Sequence, residues 1–145
     1  MTGEIQVVLQ QAEYTIRMAD VDAASVIYYA SPLRWQEMLV SEWFIRCGHR
    51  LSDQLARGTG CPCVEVRATY HRPLRLDDPL TLELTVERTG RTSFGLSMTG
   101  TTPAGEVAVR VHTTNVWTVS SSDGQVRSMP LPDWLQAALV GRTLP

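Results

Sequence analysis

Residues Leu33 to Cys47 are apolar nearly all the way round a helix, and this constrains the fold more than any other stretch of the chain. Leu33, Val40, Phe44 and Cys47 share one stripe at helical spacing, and Trp35, Met38, Leu39, Trp43 and Ile45 widen it beyond one face. Such a helix has to be buried on several sides. Ser31-Pro32 reads as its N-cap followed by proline in the first turn. Gly48 is placed to end it. The remainder of the chain must supply the walls around it.

Those walls read as strands. Gln11 to Met18 alternates Ala12, Tyr14, Ile16 and Met18 with Glu13, Thr15 and Arg17. Val64, Val66, Ala68 and Tyr70 alternate with Glu65, Arg67 and Thr69. Leu80, Leu82, Leu84 and Val86 alternate with Thr81, Glu83, Thr85 and Glu87. The segment around Phe94, Leu96 and Met98 and the one from Val107 toward Trp117 and Val119 repeat the pattern. Period-2 alternation predicts half-buried strands. Thr89-Gly90 and Pro103-Ala104-Gly105 suit hairpin turns. A short helical turn is expected over Leu51 to Arg57, a last strand over Gln125 to Ser128, and a terminal helix within Pro130 to Val140. One buried helix and a meander of strands predict an α+β fold, with a curved antiparallel sheet wrapped around the helix.

The 145 residues fit a single domain, 1–145. A chain of this size buries roughly two thirds of its unfolded surface and needs no disulfide or metal staple. A formal net charge of −2 offers no basic field for nucleic acid. The positive charge is carried entirely by arginine, whose fork suits phosphate and carboxylate groups. No apolar run approaches the ~20 residues that span a bilayer, and no signal peptide is visible, so no membrane partner is expected. Cys47, Cys61 and Cys63 form an odd set, and the C-P-C spacing lacks a second ligand pair. A reducing cytoplasm is expected and no metal site. His49, His71 and His112 have no metal-like spacing and read as structural or surface residues.

The chemistry-bearing segment runs from Asp20 to Trp35. Two carboxylates, Asp20 and Asp22, follow a strand and precede the buried helix, with Tyr28 and Tyr29 at the helix entrance. A carboxylate serves as general base or nucleophile. The first N–H groups of a helix are unpaired and carry the positive end of its dipole. One short segment therefore holds both halves of an acyl-transfer site. An aspartate in such a connection also commonly serves as a turn or cap residue.

The stretch D-V-D-A-A-S-V-I-Y-Y-A-S-P-L-R-W resembles the signature of hotdog-fold thioesterases of the 4-hydroxybenzoyl-CoA thioesterase type. R-P-L-R-L-D-D-P-L at Arg72 to Leu80 and R-T-G-R-T-S-F at Arg88 to Phe94 also match that family, as does the terminal P-L-P-D-W-L. The resemblance implies a sheet wrapped around the long helix, with dimers joined through a continuous sheet and assembled to tetramers. It carries the catalytic carboxylate onto Asp22 and the carbonyl-polarising backbone N–H onto Tyr29, and it places the active site between subunits. Ser25 and Tyr28 are expected at the acyl group, and Arg88 and Arg91 at the nucleotide phosphates. No cofactor is implied. Ser25 stands where the family usually has glycine, and Pro32 where an aromatic is common.

Three functions follow from that resemblance. The first is hydrolysis of an acyl-CoA, with an aromatic or medium acyl group, to a carboxylic acid and CoA thiol. The second is release of acyl chains from an acyl carrier protein in polyketide or fatty-acid biosynthesis. The third is acyl-ligand binding without catalysis. Asp20 is expected to be a structural hydrogen-bond acceptor. Glu37, one turn into the helix, is the alternative catalytic carboxylate.

Overall fold

The computed structural model describes residues 6–142. Strand β1 (Val8–Thr15) leads through a 3-10 turn (Met18–Asp20) and a loop into helix α1 (Ser31–Arg46). Helix α2 (Leu51–Ala56) and the two-residue strand β2 (Thr59–Gly60) follow. Then come β3 (Cys63–Tyr70), β4 (Pro79–Thr89), β5 (Ser93–Thr101), β6 (Val107–Val116), β7 (Thr118–Ser120), β8 (Val126–Ser128) and helix α3 (Asp133–Leu139). The main sheet has the order β1-β4-β5-β6-β3, antiparallel throughout, and β2-β7-β8 form a second small sheet.

Register explains the core. Leu84 faces Met98 across β4 and β5, and Met98 faces Val111 across β5 and β6. Leu82 and Val109 flank Gly100 in the next row. These side chains share one face of the sheet because strand side chains alternate. Against that face α1 lays Trp35, Leu39, Trp43 and Phe44, each at most 2% exposed. A β-bulge between Val8 and Gln10 shifts the parity of β1 and lets Leu9 join the core.

Four details differ from the sequence expectation. The first strand ends at Thr15 instead of Met18, because Ile16 N–H leaves the ladder for Asp78 C=O and Asp20 Oδ2 accepts the Arg17 N–H. Helix α1 begins at Ser31, with Ala30 in the cap position. The Ser31 hydroxyl does not cap; it donates to Asp20 C=O at 2.7 Å and fastens the helix start to the loop. The final long strand breaks at Trp117, whose N–H donates to Thr92 C=O and whose C=O accepts Met129 N–H. The chain beyond it enters the small sheet.

The fourth difference concerns β3. Its alternation predicts one buried face, yet Val64, Val66 and Tyr70 are 61%, 47% and 43% exposed. The strand is the outer edge of the sheet, paired with β6 alone among the described residues. An eight-residue edge strand with exposed valines is a template for pairing with another strand.

Candidate active site

The loop between β1 and α1 folds back as a miniature hairpin. Val21 and Ile27 form an antiparallel bridge, and Asp22 N–H donates to Val26 C=O at 3.0 Å. At its tip Asp22 Oδ1 accepts the Ala24 N–H at 2.8 Å, an Asx-type turn. Ser25 N–H returns to Asp22 C=O, and Ser25 has φ +65°, in the left-handed region. This is the position where a glycine would be free of strain. The conformation gives a physical meaning to the departure noted in the sequence.

Asp20 anchors the loop from beneath. It is 4% exposed and accepts hydrogen bonds from Tyr14 Oη (2.6 Å), Arg17 N–H (2.9 Å) and Trp35 Nε1 (3.1 Å). Arg34 lies 3.7 Å away. Burial alone would raise its carboxyl pKa, but these donors and the Arg34 charge outweigh burial and hold it below the ordinary carboxylate value. Burial, followed by the bond to Asp20 and the charge of Asp20, pushes the Tyr14 phenol up to about 12. The Asp20 carbonyl also takes the Tyr28 N–H at 2.7 Å. Asp20 thus makes the contacts of a structural hub.

Asp22 is arranged differently. It is exposed, and among the described residues only Oδ1 is engaged, by its own turn. Oδ2 is left for another partner. At the entrance of α1, the Tyr29 and Ala30 N–H groups have no acceptor among the described residues. The Tyr28 and Tyr29 rings lie 4.6 Å apart and are both exposed. The Tyr70 hydroxyl, on β3, donates to the Tyr29 carbonyl and fixes the Tyr29–Ala30 peptide. Burial and the neighbouring Tyr29 both raise the Tyr70 pKa, which keeps that hydroxyl a donor.

Asp22, Ser25, Tyr28 and Tyr29 therefore occupy one exposed loop. Arg88 and Arg91 are not brought to it within one chain. The loop leaves β1 beside Pro79, the start of β4, whereas Arg88 lies nine residues further along the strand, ~30 Å at the usual rise. Arg88 contacts Ser93 Oγ, and Arg91 offers its carbonyl to Leu131 N–H.

A cavity of about 360 Å³ opens between α1, α2, β3 and β6, lined by Leu33, Gln36, Glu37, Val40, Cys61 and Thr113 among others. Glu37, the alternative carboxylate, is exposed at its edge and accepts from Ser41 Oγ at 2.6 Å. Burial, then the neighbouring Cys63, pushes the Cys61 thiol up to about 11, so it is no nucleophile at neutral pH. Sequence reasoning passed over Gln36 and Thr113. The signal was there: Gln36 is an amide on a helix whose neighbours Trp35 and Leu39 are core residues. His49 stacks on Trp134 at 4.0 Å, and His112 Nδ1 lies 2.6 Å from Glu87 Oε1. Among the described residues no cluster of His, Cys, Asp or Glu could hold a metal ion, and no helix is long and apolar enough to cross a membrane.

A sheet closed on one buried helix defines the hotdog class of α+β proteins. The chain belongs to the thioesterase-like superfamily, whose family model matches residues 16–139. It is 28% identical over 123 residues to the 4-hydroxybenzoyl-CoA thioesterase of Pseudomonas sp. (strain CBS-3), covering 81% of this chain and 87% of that one. It is 31% identical over 144 residues to the 1,4-dihydroxy-2-naphthoyl-CoA hydrolase of Synechococcus sp. (strain WH7803), covering 88% of each. A solved 1,4-dihydroxy-2-naphthoyl-CoA thioesterase from Synechocystis superposes with a TM-score of 0.83 at 20% identity, over 94% of this chain and 98% of that one. At that identity the likeness is one of fold.

Proposed function

We propose that this chain hydrolyses acyl-CoA thioesters, with Asp22 as the catalytic carboxylate and the Tyr29 N–H as the oxyanion donor. One observation carries the reading: a short loop presents both an uncommitted carboxylate oxygen and unbonded N–H groups at a helix N-terminus. The characterised relatives act on thioesters of CoA.

In the general-base route, Asp22 takes a proton from water as the oxygen adds to the thioester carbon. The carbonyl electrons move onto its oxygen, which the Tyr29 N–H and the α1 dipole stabilise. Collapse of the tetrahedral adduct breaks the C–S bond, and the thiolate takes the proton from Asp22. In the nucleophilic route, the Asp22 carboxylate adds to the carbonyl and the C–S bond breaks to release CoA thiolate; water then cleaves the acyl–aspartyl anhydride, which restores the carboxylate, frees the acid and supplies the proton that the thiolate takes. Both routes yield a carboxylic acid and CoA thiol.

Within one chain Asp22 is absent from the lining of four cavities among the described residues, the one beside α1 included. Pairing of β3 with the β3 of a second copy would cover Val64 and Val66 and wall the site from outside. A homodimer is the assembly this edge supports, and a homotetramer built from two such dimers is what the family resemblance adds. A second subunit would also bring its own Arg88 and Arg91 toward the CoA phosphates. Three free thiols suit a cytoplasmic setting.

The test is thiol release from a panel of aromatic and aliphatic acyl-CoA esters, run on wild type and Asp22→Asn. Wild type is expected to turn over at least one ester, and Asp22→Asn to lose about 10²- to 10⁴-fold in kcat with its melting temperature preserved. A wild type inert across the panel refutes the enzyme reading. A fully active Asp22→Asn moves the assignment to Glu37.

A further inference from the structure

The cavity beside α1 is lined mainly by apolar side chains, with Gln36, Glu37, Thr113 and Asn115 as its polar residues. There Gln36, only 3% exposed, donates through Nε2 to Thr113 Oγ1 at 2.8 Å. Its Oε1 accepts no hydrogen bond among the described residues, and the Thr113 hydroxyl proton has no acceptor among them. Gln36 and Thr113 both line the cavity, and the unengaged Oε1 is offered to it. A buried amide left half-satisfied costs free energy unless something fills the gap. The pair offers one acceptor and one donor side by side, the complement of a hydroxyl group. Glu37 is the only charged residue in the lining, so an anionic acyl group would meet no counter-charge.

We infer that Gln36 and Thr113 are specificity-determining residues that read a hydroxyl substituent on an uncharged, otherwise apolar acyl group held in this cavity. The inference rests on the thioesterase reading and adds which acyl groups are preferred. A site built to hydrogen-bond a substrate hydroxyl strongly rejects the analogue that lacks it, because the buried polar groups are then left unpaired. A purely apolar pocket discriminates weakly and in the opposite sense.

The experiment compares matched CoA esters with and without a hydroxyl, benzoyl against its ring-hydroxylated isomers and octanoyl against its chain-hydroxylated isomers. Wild type is expected to favour the hydroxylated ester at one position by at least tenfold in kcat/KM. Gln36→Leu, which keeps the volume, and Thr113→Val are each expected to bring that ratio to within about twofold while still hydrolysing the unsubstituted ester. That retained activity separates lost recognition from a damaged fold, and one variant suffices if the other does not fold. Wild type without preference at any position overturns the inference, as does a ratio that survives both substitutions. If wild type releases no thiol from any ester, the thioesterase reading falls, and calorimetric binding of the matched uncharged primary amides decides the inference separately. Tenfold tighter binding of a hydroxylated amide, lost in Gln36→Leu, supports it; equal binding, or none by either amide, overturns it.

Discussion

At φ +65° Ser25 holds a backbone conformation that glycine adopts freely and a residue with a Cβ adopts at a cost of roughly 1 kcal/mol. Ser25→Gly removes that cost but adds freedom to the unfolded chain, so the net gain is smaller. The melting temperature is expected to rise by roughly 2 °C in differential scanning calorimetry; a fall would mean that the serine hydroxyl has a partner of its own. Asp20 sets the acid limit of the same loop. Its folded pKa lies below the ordinary value, so unfolding in acid takes up a proton. Its contribution is therefore complete above about pH 4 and is lost as pH falls through the folded pKa. Denaturant titrations between pH 6 and pH 2 should show stability falling in that window, with a shallower fall in Asp20→Asn. Identical pH slopes in the two proteins would rule out Asp20 as the titrating group.

At the scale of elements, β5 owes its close packing to a residue without a side chain. A Cβ on Gly100 would stand 2.9 Å from Val109 Cγ1 and 3.5 Å from Leu82 Cδ2. Valine is stiff about its first side-chain torsion and gives way poorly. Gly100→Ala is expected to destabilise the protein by about 1–3 kcal/mol, read as a lower urea midpoint with an unchanged slope. An unchanged midpoint would show that β5 and β6 can separate freely. Helix α1 is held differently at its two ends. Ser31 and Asp20 tie its start to the loop, while Phe44 meets Trp134, which in turn packs on Trp117. The helix behind the Tyr29 amide is thus tied to the β1–α1 loop at one end and packed against α3 at the other.

For the whole molecule, β3 is the element whose outer edge is left uncovered among the described residues. Its outer edge carries unpaired backbone groups beside two exposed valines, and its Tyr70 holds the Tyr29 carbonyl. Pairing at this edge and the shape of the site are therefore connected through one strand. Val64→Glu places a charge in the proposed seam and stays clear of the cavity beside α1, whose lining includes Val66 but not Val64. Sedimentation velocity is expected to show wild type as a dimer or larger and the variant shifted to the monomer mass, with thiol release reduced in parallel. A monomeric wild type, or a variant with the wild-type mass, would exclude β3 as the joining edge.

The architecture is legible in the amino-acid sequence because its signals are local. An apolar surface nearly all round residues 33–47 demands enclosure, and period-2 alternation in the later segments supplies a sheet with one apolar face to enclose it. The Asp20 to Trp35 segment was legible as a carboxylate loop at a helix entrance for the same reason. What the tertiary structure decided depends on contacts between residues distant in the chain. Ser31 gives its hydroxyl to Asp20 instead of capping, Trp117 diverts the last strand into a second sheet, and β3 lies at an edge where its alternation goes uncovered. Arg88 ends up at the far end of β4 from Asp22, and Gln36 meets Thr113 across 77 residues of chain. Periodicity states which face of an element is apolar; only the ladder order and the packing of helix on sheet state what that face meets.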